Sequence, residues 1–308
     1  MRPPGAPHSG RTILVHLAAG IGNVVLATPL LLTLARHGYV VDLLVDGDYA
    51  ETAELFDGWS AVRAVYGGMR GRPPARPYDL GIAAIPPFYW KGYLAAMPRP
   101  NGVVRPPDAL FYRDEQAWYL AFARALGCAV DPAPHCFLPC VPDTRRGVTA
   151  ATVVLAPGCK GGEMAAKRWP HFAQLADLLD DVVVVGTPDD LRGPDGRATC
   201  FPSHVRSLVG ALSLRETVGV LAAAGAVVAN DSGLGHAAGA AGTRTILLFG
   251  PTPDRTLGRL PPNVRIMRAG LPCEPCWFAQ RFAACAGRLD CLGSLTPQEV
   301  AAAVGSNR

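Results

Sequence analysis

Charge is scarce in this 308-residue chain. Only 18% of its residues are charged, and lysine is rare beside arginine, a bias that a GC-rich genome produces as readily as any ligand. No block of five or six basic residues occurs. The balance of 29 basic against 25 acidic side chains leaves a formal charge of +4 with histidine neutral. Without a basic run there is no electrostatic footprint for nucleic acid, and an anionic small molecule fits the surplus equally well. Long apolar runs are missing too. The longest soft stretch, 218–229, has twelve residues, mostly Ala and Gly, against the roughly 20 that a bilayer span needs. Residues 1–11 are polar and Pro-rich, and the apolar run behind them is broken at Gly20, Gly22 and Asn23, so no secretory signal is expected here. Nine cysteines, an odd number, do not make a fully paired disulfide framework. The expectation is a cytoplasmic protein without a transmembrane segment.

What is present is a core and many turns. Hydrophobic residues make up 49% of the chain, enough to exclude overall disorder. The 34 glycines and 29 prolines follow no collagen period and fall between apolar runs, as turn residues do. The length fits two domains.

The apolar run 12–17 reads as a buried strand. A turn of small residues follows, then a helix through Arg36 that bends at Pro29, then a strand at 40–45. Strand, glycine turn, helix and strand make the unit of a parallel sheet. A further strand is expected at 78–85 and a helix at 114–126. Residues 138–150 read as a linker, and the pattern then restarts. Strands are expected at 151–156, 182–185, 226–229 and 245–249, with helices at 169–179, 214–224 and 237–241. The fold class is α/β, with two doubly wound, Rossmann-like halves, 1–145 and 146–308. Ligands of such sheets lie beyond the carboxyl ends of the strands, which for two facing halves is the cleft between them.

Several strand-end clusters can carry chemistry. The turn at Ala19-Gly20-Ile21-Gly22-Asn23 lets backbone approach an anion or a sugar, or is simply tight; it matches neither the dinucleotide fingerprint nor a Walker loop. Asn230-Asp231-Ser232-Gly233 ends an apolar run just ahead of a helix, which places a carboxylate, a hydroxyl and helix-start N–H groups where a diphosphate can be held. His236 falls on the first helical turn, as a neutral donor to phosphate or a structural histidine. Lys160, Lys167 and Arg168 follow the first strand of the second half, and Lys167 there either neutralises a leaving phosphate or is a solvated charge. Asp189 and Asp190, with His204, either border a nucleoside or belong to ordinary turns. Cys273, Cys276, Cys285 and Cys291 cluster near the C-terminus as a possible metal knuckle, with tetrahedral zinc as the default; their spacing is irregular, and free thiols or a redox pair of Cys273 and Cys276 are the alternatives.

Taken together these motifs resemble the bacterial heptosyltransferases of glycosyltransferase family 9, the ADP-heptose users of lipopolysaccharide synthesis. The matching stretches are 13–29 (ILVHLAAGIGNVVLATP), 155–158 (LAPG) with Lys167-Arg168-Trp169-Pro170, 230–236 (NDSGLGH) with 248–252 (LFGPT), and the tail around Cys291 and 295–300 (LTPQEV). The likeness runs from about residue 11 to 304. It implies a GT-B architecture, with acceptor on the amino-terminal domain, nucleotide-sugar on the carboxyl-terminal one and a final helix that crosses back. It also implies an inverting enzyme with no catalytic metal or redox cofactor, ADP-heptose as donor, and a glycan, protein or small-molecule acceptor. It places the protein in the cytoplasm or peripheral to the inner membrane. By the same resemblance Lys167 meets the diphosphate, while Asp231, Ser232, Gly233 and His236 contact phosphate and donor. Structural zinc or iron is expected at the C-terminal cysteines.

One departure matters. The family's first turn carries Gly-Asp, whose aspartate looks like the general base, and this chain has Gly22-Asn23. An amide takes no proton at neutral pH, so either another carboxylate serves or the enzyme needs less base help, and Asn23 is expected to orient the acceptor. Asp46, Asp48, Glu115 and Glu163 are the candidates.

Overall fold

The computed structural model describes residues 10–46, 49–67, 71–73, 77–88, 106–277, 285 and 288–305. The chain divides into two units. One is Met1–Pro139 with Arg255–Leu260, the other Cys140–Asp254 with Pro261–Arg308.

The first unit holds a parallel sheet of β1 (Thr12–Ala18), β2 (Val40–Asp46), β3 (Ala64–Tyr66) and β4 (Leu80–Ala84), in the order β3-β2-β1-β4. Thr12 pairs with Val40 on one side and Ile13 with Leu80 on the other. With neighbours on both edges and chain packed on both faces, β1 is buried from Ile13 to Ala18, which is why it reads as an unbroken apolar run. Next come α1 (Ile21–Leu26) and α2 (Thr28–Arg36). The break falls at Ala27 and not at Pro29, because proline in a first helical turn has no N–H to leave unbonded. The short α3 (Asp108–Phe111) precedes α4 (Glu115–Ala125), which is capped by the Asp114 side chain accepting from the Ala117 N–H at 2.8 Å. The α4 helix sinks Trp118, Tyr119 and Phe122 into the core, with edge-on ring contacts between them.

In the second unit six parallel strands follow the order β10-β9-β8-β5-β6-β7. These are β5 (Val153–Ala156), β6 (Val182–Val184), β7 (Arg206–Ser207), β8 (Ala226–Asn230), β9 (Thr245–Leu248) and β10 (Val264–Met267). The helices are α5 (Phe172–Ala176), α6 (Leu214–Ala223), α7 (Gly233–Ala240), α8 (Asp290–Gly293) and α9 (Pro297–Gly305). Renumbered within the unit, this is the 3-2-1-4-5-6 order of a dinucleotide-binding sheet, whose order reverses between β5 and β8. A capping box of Ser213 and Glu216 starts α6.

The differences from the sequence reading have local causes. The helix expected at 169–179 shrinks to α5, because Trp169 is buried in the core with its backbone N–H bonded to a side chain on β8. The helix expected from 237 begins at Gly233. The segment 140–150 carries no strand or helix, yet its Asp143 N–H bonds the Gly219 carbonyl of α6 at 2.8 Å, so the division falls at 139/140 and not at 145/146. The final helix α9 stays with its own unit, burying Val300, Ala303 and Val304 in the core that includes α5. The segment that returns to the first unit is instead Arg255–Leu260, where the Arg259 N–H donates to Gln116 Oε1. Among the described residues no helix is long and apolar enough to cross a membrane.

Candidate functional site

The second unit builds its site at its topological switch point. Asn230, the last residue of β8, donates from Nδ2 to the Pro157 carbonyl and accepts the Trp169 N–H at 2.9 Å. One amide thereby clamps both ends of the loop that follows β5. Arg168 clamps its middle: the buried guanidinium donates to the carbonyls of Cys159 (3.2 Å) and Arg192 (3.0 Å). The loop is thus held to the chain after β6, and the tight helical turn Gly162–Lys167 delivers Lys167 back towards β8.

Lys167, one of only three lysines in the chain, places Nζ 3.2 Å from Asp231 Oδ2. Thr252 Oγ donates to the same oxygen at 2.7 Å, and His236 Nε2 lies 3.3 Å from Oδ1. Burial alone raises the Asp231 carboxyl, but the Lys167 charge, His236 and the Thr252 hydroxyl outweigh it and hold it well below the usual carboxylate range. Asp231 is therefore the anchor of a buried network and not a proton acceptor. A neutral His236 that gives Nε2–H to Asp231 keeps Nδ1 as an acceptor; donation to a phosphate from Nδ1 requires the imidazolium.

Ser232 caps α7 without using its hydroxyl. Its Oγ is buried with no hydrogen-bond partner, next to the first-turn N–H groups that have no intrahelical acceptor. Gly235 seats that helix close to the sheet, since a Cβ there would lie 2.4 Å from Leu247 and 3.1 Å from the Asn230 carbonyl. A buried ammonium, an unused hydroxyl and a helix start together form a cradle for an anion.

The structure thus brings Lys167, Asp231 and His236 together, with Ser232 and Gly233 adjacent. Asp189 stands apart, exposed and paired with Arg192 at 3.2 Å and Arg168 at 3.5 Å. Asp190 is a turn residue: one oxygen accepts from the Thr187 N–H (2.8 Å) and hydroxyl (2.9 Å), and a Cβ on Gly158 would lie 2.2 Å from it. His204 is structural, bonded to the Ala176 carbonyl. Thr252, Asn230 and Arg168 are site-building residues that sequence reasoning left without roles. They lie in the quoted motifs, but their partners are 9 to 73 residues away along the chain.

Gly22 and Asn23 belong to the first unit, on α1 just past the end of β1. Ala19 enters that turn at φ +90°, a conformation costly for a residue with a Cβ. Asn23 Oδ1 accepts the Gly20 N–H at 3.2 Å, and its Nδ2 donates to Glu115 Oε1 at 2.7 Å. Asp46 is half-exposed, 3.9 Å from His16, whose ring burial pushes down to about 4 against the pull of Asp46. Asp48 lies outside the described residues, and Glu163 is exposed on the second unit.

The metal expectation finds no support. Among the described residues no group of three or more His, Cys, Asp or Glu side chains is placed to hold a metal ion. None of the four cysteines forms a disulfide: Cys273 is exposed, Cys285 half-buried, and Cys276 and Cys291 buried. Burial favours the neutral thiols of Cys276 and Cys291 and pushes the latter up to about 12.

The profile of glycosyltransferase family 9 (heptosyltransferase) matches residues 116–286, more than half of the chain. Over 121 residues the chain is 36% identical to a lipooligosaccharide heptosyltransferase 2 of Haemophilus influenzae, covering 36% of this chain and 35% of that one. The chain thus matches about a third of the length of its curated relatives. The structure of E. coli ADP-heptose lps heptosyltransferase II superposes with a TM-score of 0.68 at 21% identity, over 96% of this chain and 98% of that one. E. coli heptosyltransferase WaaC with ADP-2-deoxy-2-fluoro heptose gives 0.61 at 19% identity, over 96% and 100%. These neighbours share the GT-B fold of two parallel-sheet α/β domains. With the profile spanning most of the second sheet and its cradle, the chain belongs to glycosyltransferase family 9, the heptosyltransferase family.

Proposed function

We propose that the chain is an inverting glycosyltransferase that moves a heptose from ADP-heptose to a glycan acceptor, with a protein side chain or small molecule as the other acceptor classes. The observation that carries this is the buried Lys167–Asp231 pair at the start of α7, beside the unused Ser232 hydroxyl. Transfer gains most from stabilising the charge that develops on the departing diphosphate. Lys167, Ser232 and the N–H groups at Gly233 supply that stabilisation, so no metal is assigned to this step. Asp231 meets no phosphate directly. Its charge is taken up by Lys167, and its bonds to Thr252 and His236 fix where that charge and that ring stand. Asp189 has lone pairs beyond its two arginine contacts for ribose hydroxyls. Gly22 and Asn23 serve the acceptor. The enzyme works at the cytoplasmic side, peripheral to the inner membrane, where a lipid-linked glycan is presented.

A second reading, a nucleotide-sugar-binding chain without transfer, is favoured by Asn23 in place of the family's aspartate. One experiment separates the two. Incubation with ADP-heptose and an acceptor panel is expected to release ADP and add a heptose mass to one acceptor. Calorimetry is expected to show ADP binding that Lys167→Ala weakens. ADP binding with no turnover on any acceptor selects the second reading; no binding of any nucleoside diphosphate refutes both.

A further inference from the structure

We propose that Glu115 is the general base of the transfer reaction, and that Asn23 is the residue that positions it. The inference rests on the transferase reading above and adds the residue that takes the proton.

The first sheet reverses its order between β1 and β4, and ligands of open α/β sheets bind beyond the strand ends at such a point. Asn23 lies on the helix that leaves β1 there. Its amide is held from behind by the Gly20 N–H and donates forward to Glu115, and Nδ2 carries a second hydrogen for an acceptor oxygen. Glu115 comes from 92 residues further on, in the first turn of α4, where the helix dipole favours a carboxylate. It is 7% exposed and takes hydrogen bonds from Asn23 and from Tyr119 on its own helix, the pairing that a buried carboxylate needs. The titratable groups facing it are Tyr119 on its own helix and Cys136 on the chain after α4. Both are kept neutral by burial, the thiol at about 12, so neither competes for its charge. Glu115 thus brings a carboxylate from α4 to the turn that follows β1.

The step balances. The acceptor hydroxyl gives its proton to Glu115, and its oxygen lone pair forms the bond to the anomeric carbon. The bond from that carbon to the diphosphate oxygen breaks, and its electron pair leaves with the nucleoside diphosphate. Glu115 then returns the proton to solvent.

The test measures ADP release from ADP-heptose, with the acceptor or with water, across pH, alongside ADP binding by calorimetry. Glu115→Gln is expected to lower turnover roughly 100–10,000-fold, the usual range for a lost general base, and to abolish the acid limb of the profile. ADP affinity should stay within about two-fold, because the donor cradle is on the other unit. Adding Asn23→Asp to Glu115→Gln restores a carboxylate at the turn and is expected to recover at least about ten-fold of the rate together with an acid limb. A purely structural Glu115 gives no such rescue. Turnover and acid limb unchanged in Glu115→Gln, or no rescue by Asn23→Asp, overturns the proposal. Should Glu115→Gln fail to melt cooperatively, Asn23→Asp alone decides: two carboxylates at this distance share a proton, so the acid limb moves up by about one pH unit or more, and an unmoved limb overturns the proposal. A wild-type chain that neither binds nor releases ADP refutes the transferase reading along with it. One that turns over regardless of residue 115 refutes only the base.

Discussion

Replacing Asp231 by asparagine removes one charge from a buried network while keeping its shape. Three donors converge on that carboxylate, which lies 3.2 Å from Lys167 Nζ and neutralises it. Breaking a buried ion pair by removing one partner costs about 3–5 kcal/mol, because the other charge stays desolvated. The two side chains keep 16% and 10% of their exposure, which lowers the expected loss to about 2–4 kcal/mol. At about 2–4 °C per kcal/mol for a unit of this size, the melting transition of the second unit should fall by roughly 4–16 °C. The loss depends on pH in a defined sense. The folded-state carboxyl lies below its unfolded value of about 3.9, so its contribution is complete above roughly pH 5 and fades as pH falls through that value. The gap between wild type and Asp231→Asn should therefore be constant from pH 5 to 8 and narrow in acid. Pairing Asp231→Asn with Lys167→Met should recover most of the stability, since no charge is then stranded, but not the ADP affinity. Differential scanning calorimetry with and without ADP reads both quantities. An Asp231→Asn chain that melts and binds ADP like wild type refutes the network as described.

Three further outcomes follow from other sites. Gly158→Ala forces a Cβ to within 2.2 Å of the Asp190 carboxylate, and should cost about 1–3 kcal/mol in urea unfolding by displacing the Thr187–Asp190 turn. Asn230→Ala releases both ends of the loop after β5 and leaves two buried backbone groups unpaired, an expected loss of about 2–4 kcal/mol with weaker ADP binding by calorimetry. His16 is buried with its ring pushed down to about 4, so the unfolded chain binds the extra proton between about pH 4 and 6.5 and stability should rise with pH across that window by about 3 kcal/mol. In His16→Gln, unfolding of the first unit should lose that slope; an unchanged slope refutes the assignment.

The strands at 12–17, 151–156 and 226–229 were legible because central parallel strands are buried on both faces and read as unbroken apolar runs. The edge strands β3 and β7, of three and two residues, were not, since so short a run has no period. The cluster at Asn230-Asp231-Ser232 was legible as a polar end to an apolar run followed by a helix. What it does was less so. Asp231 reads as a ligand for the donor until Lys167, Thr252 and His236 are seen to use its oxygens. The Asn23–Glu115 bond joins residues 92 apart, and local pattern carries no information about such a pairing. Glu115 could be named as a candidate only because it is a carboxylate near the start of a helix.

The segment Arg255–Leu260 belongs to the first unit although the chain on both sides of it belongs to the second. This sets a timetable for synthesis. When residue 139 leaves the ribosome the first unit is still missing the stretch that bonds Gln116, and Gly258, whose close approach to Gln116 and Asp114 leaves no room for a Cβ. About 120 more residues must be made before it can close, roughly 6–24 s at about 5–20 residues per second. During that interval the nascent chain carries a finished sheet with one open flank, the state on which chaperones act. A fragment ending at residue 139 should remain in that state, so the two halves of this chain cannot be separated cleanly by a single cut.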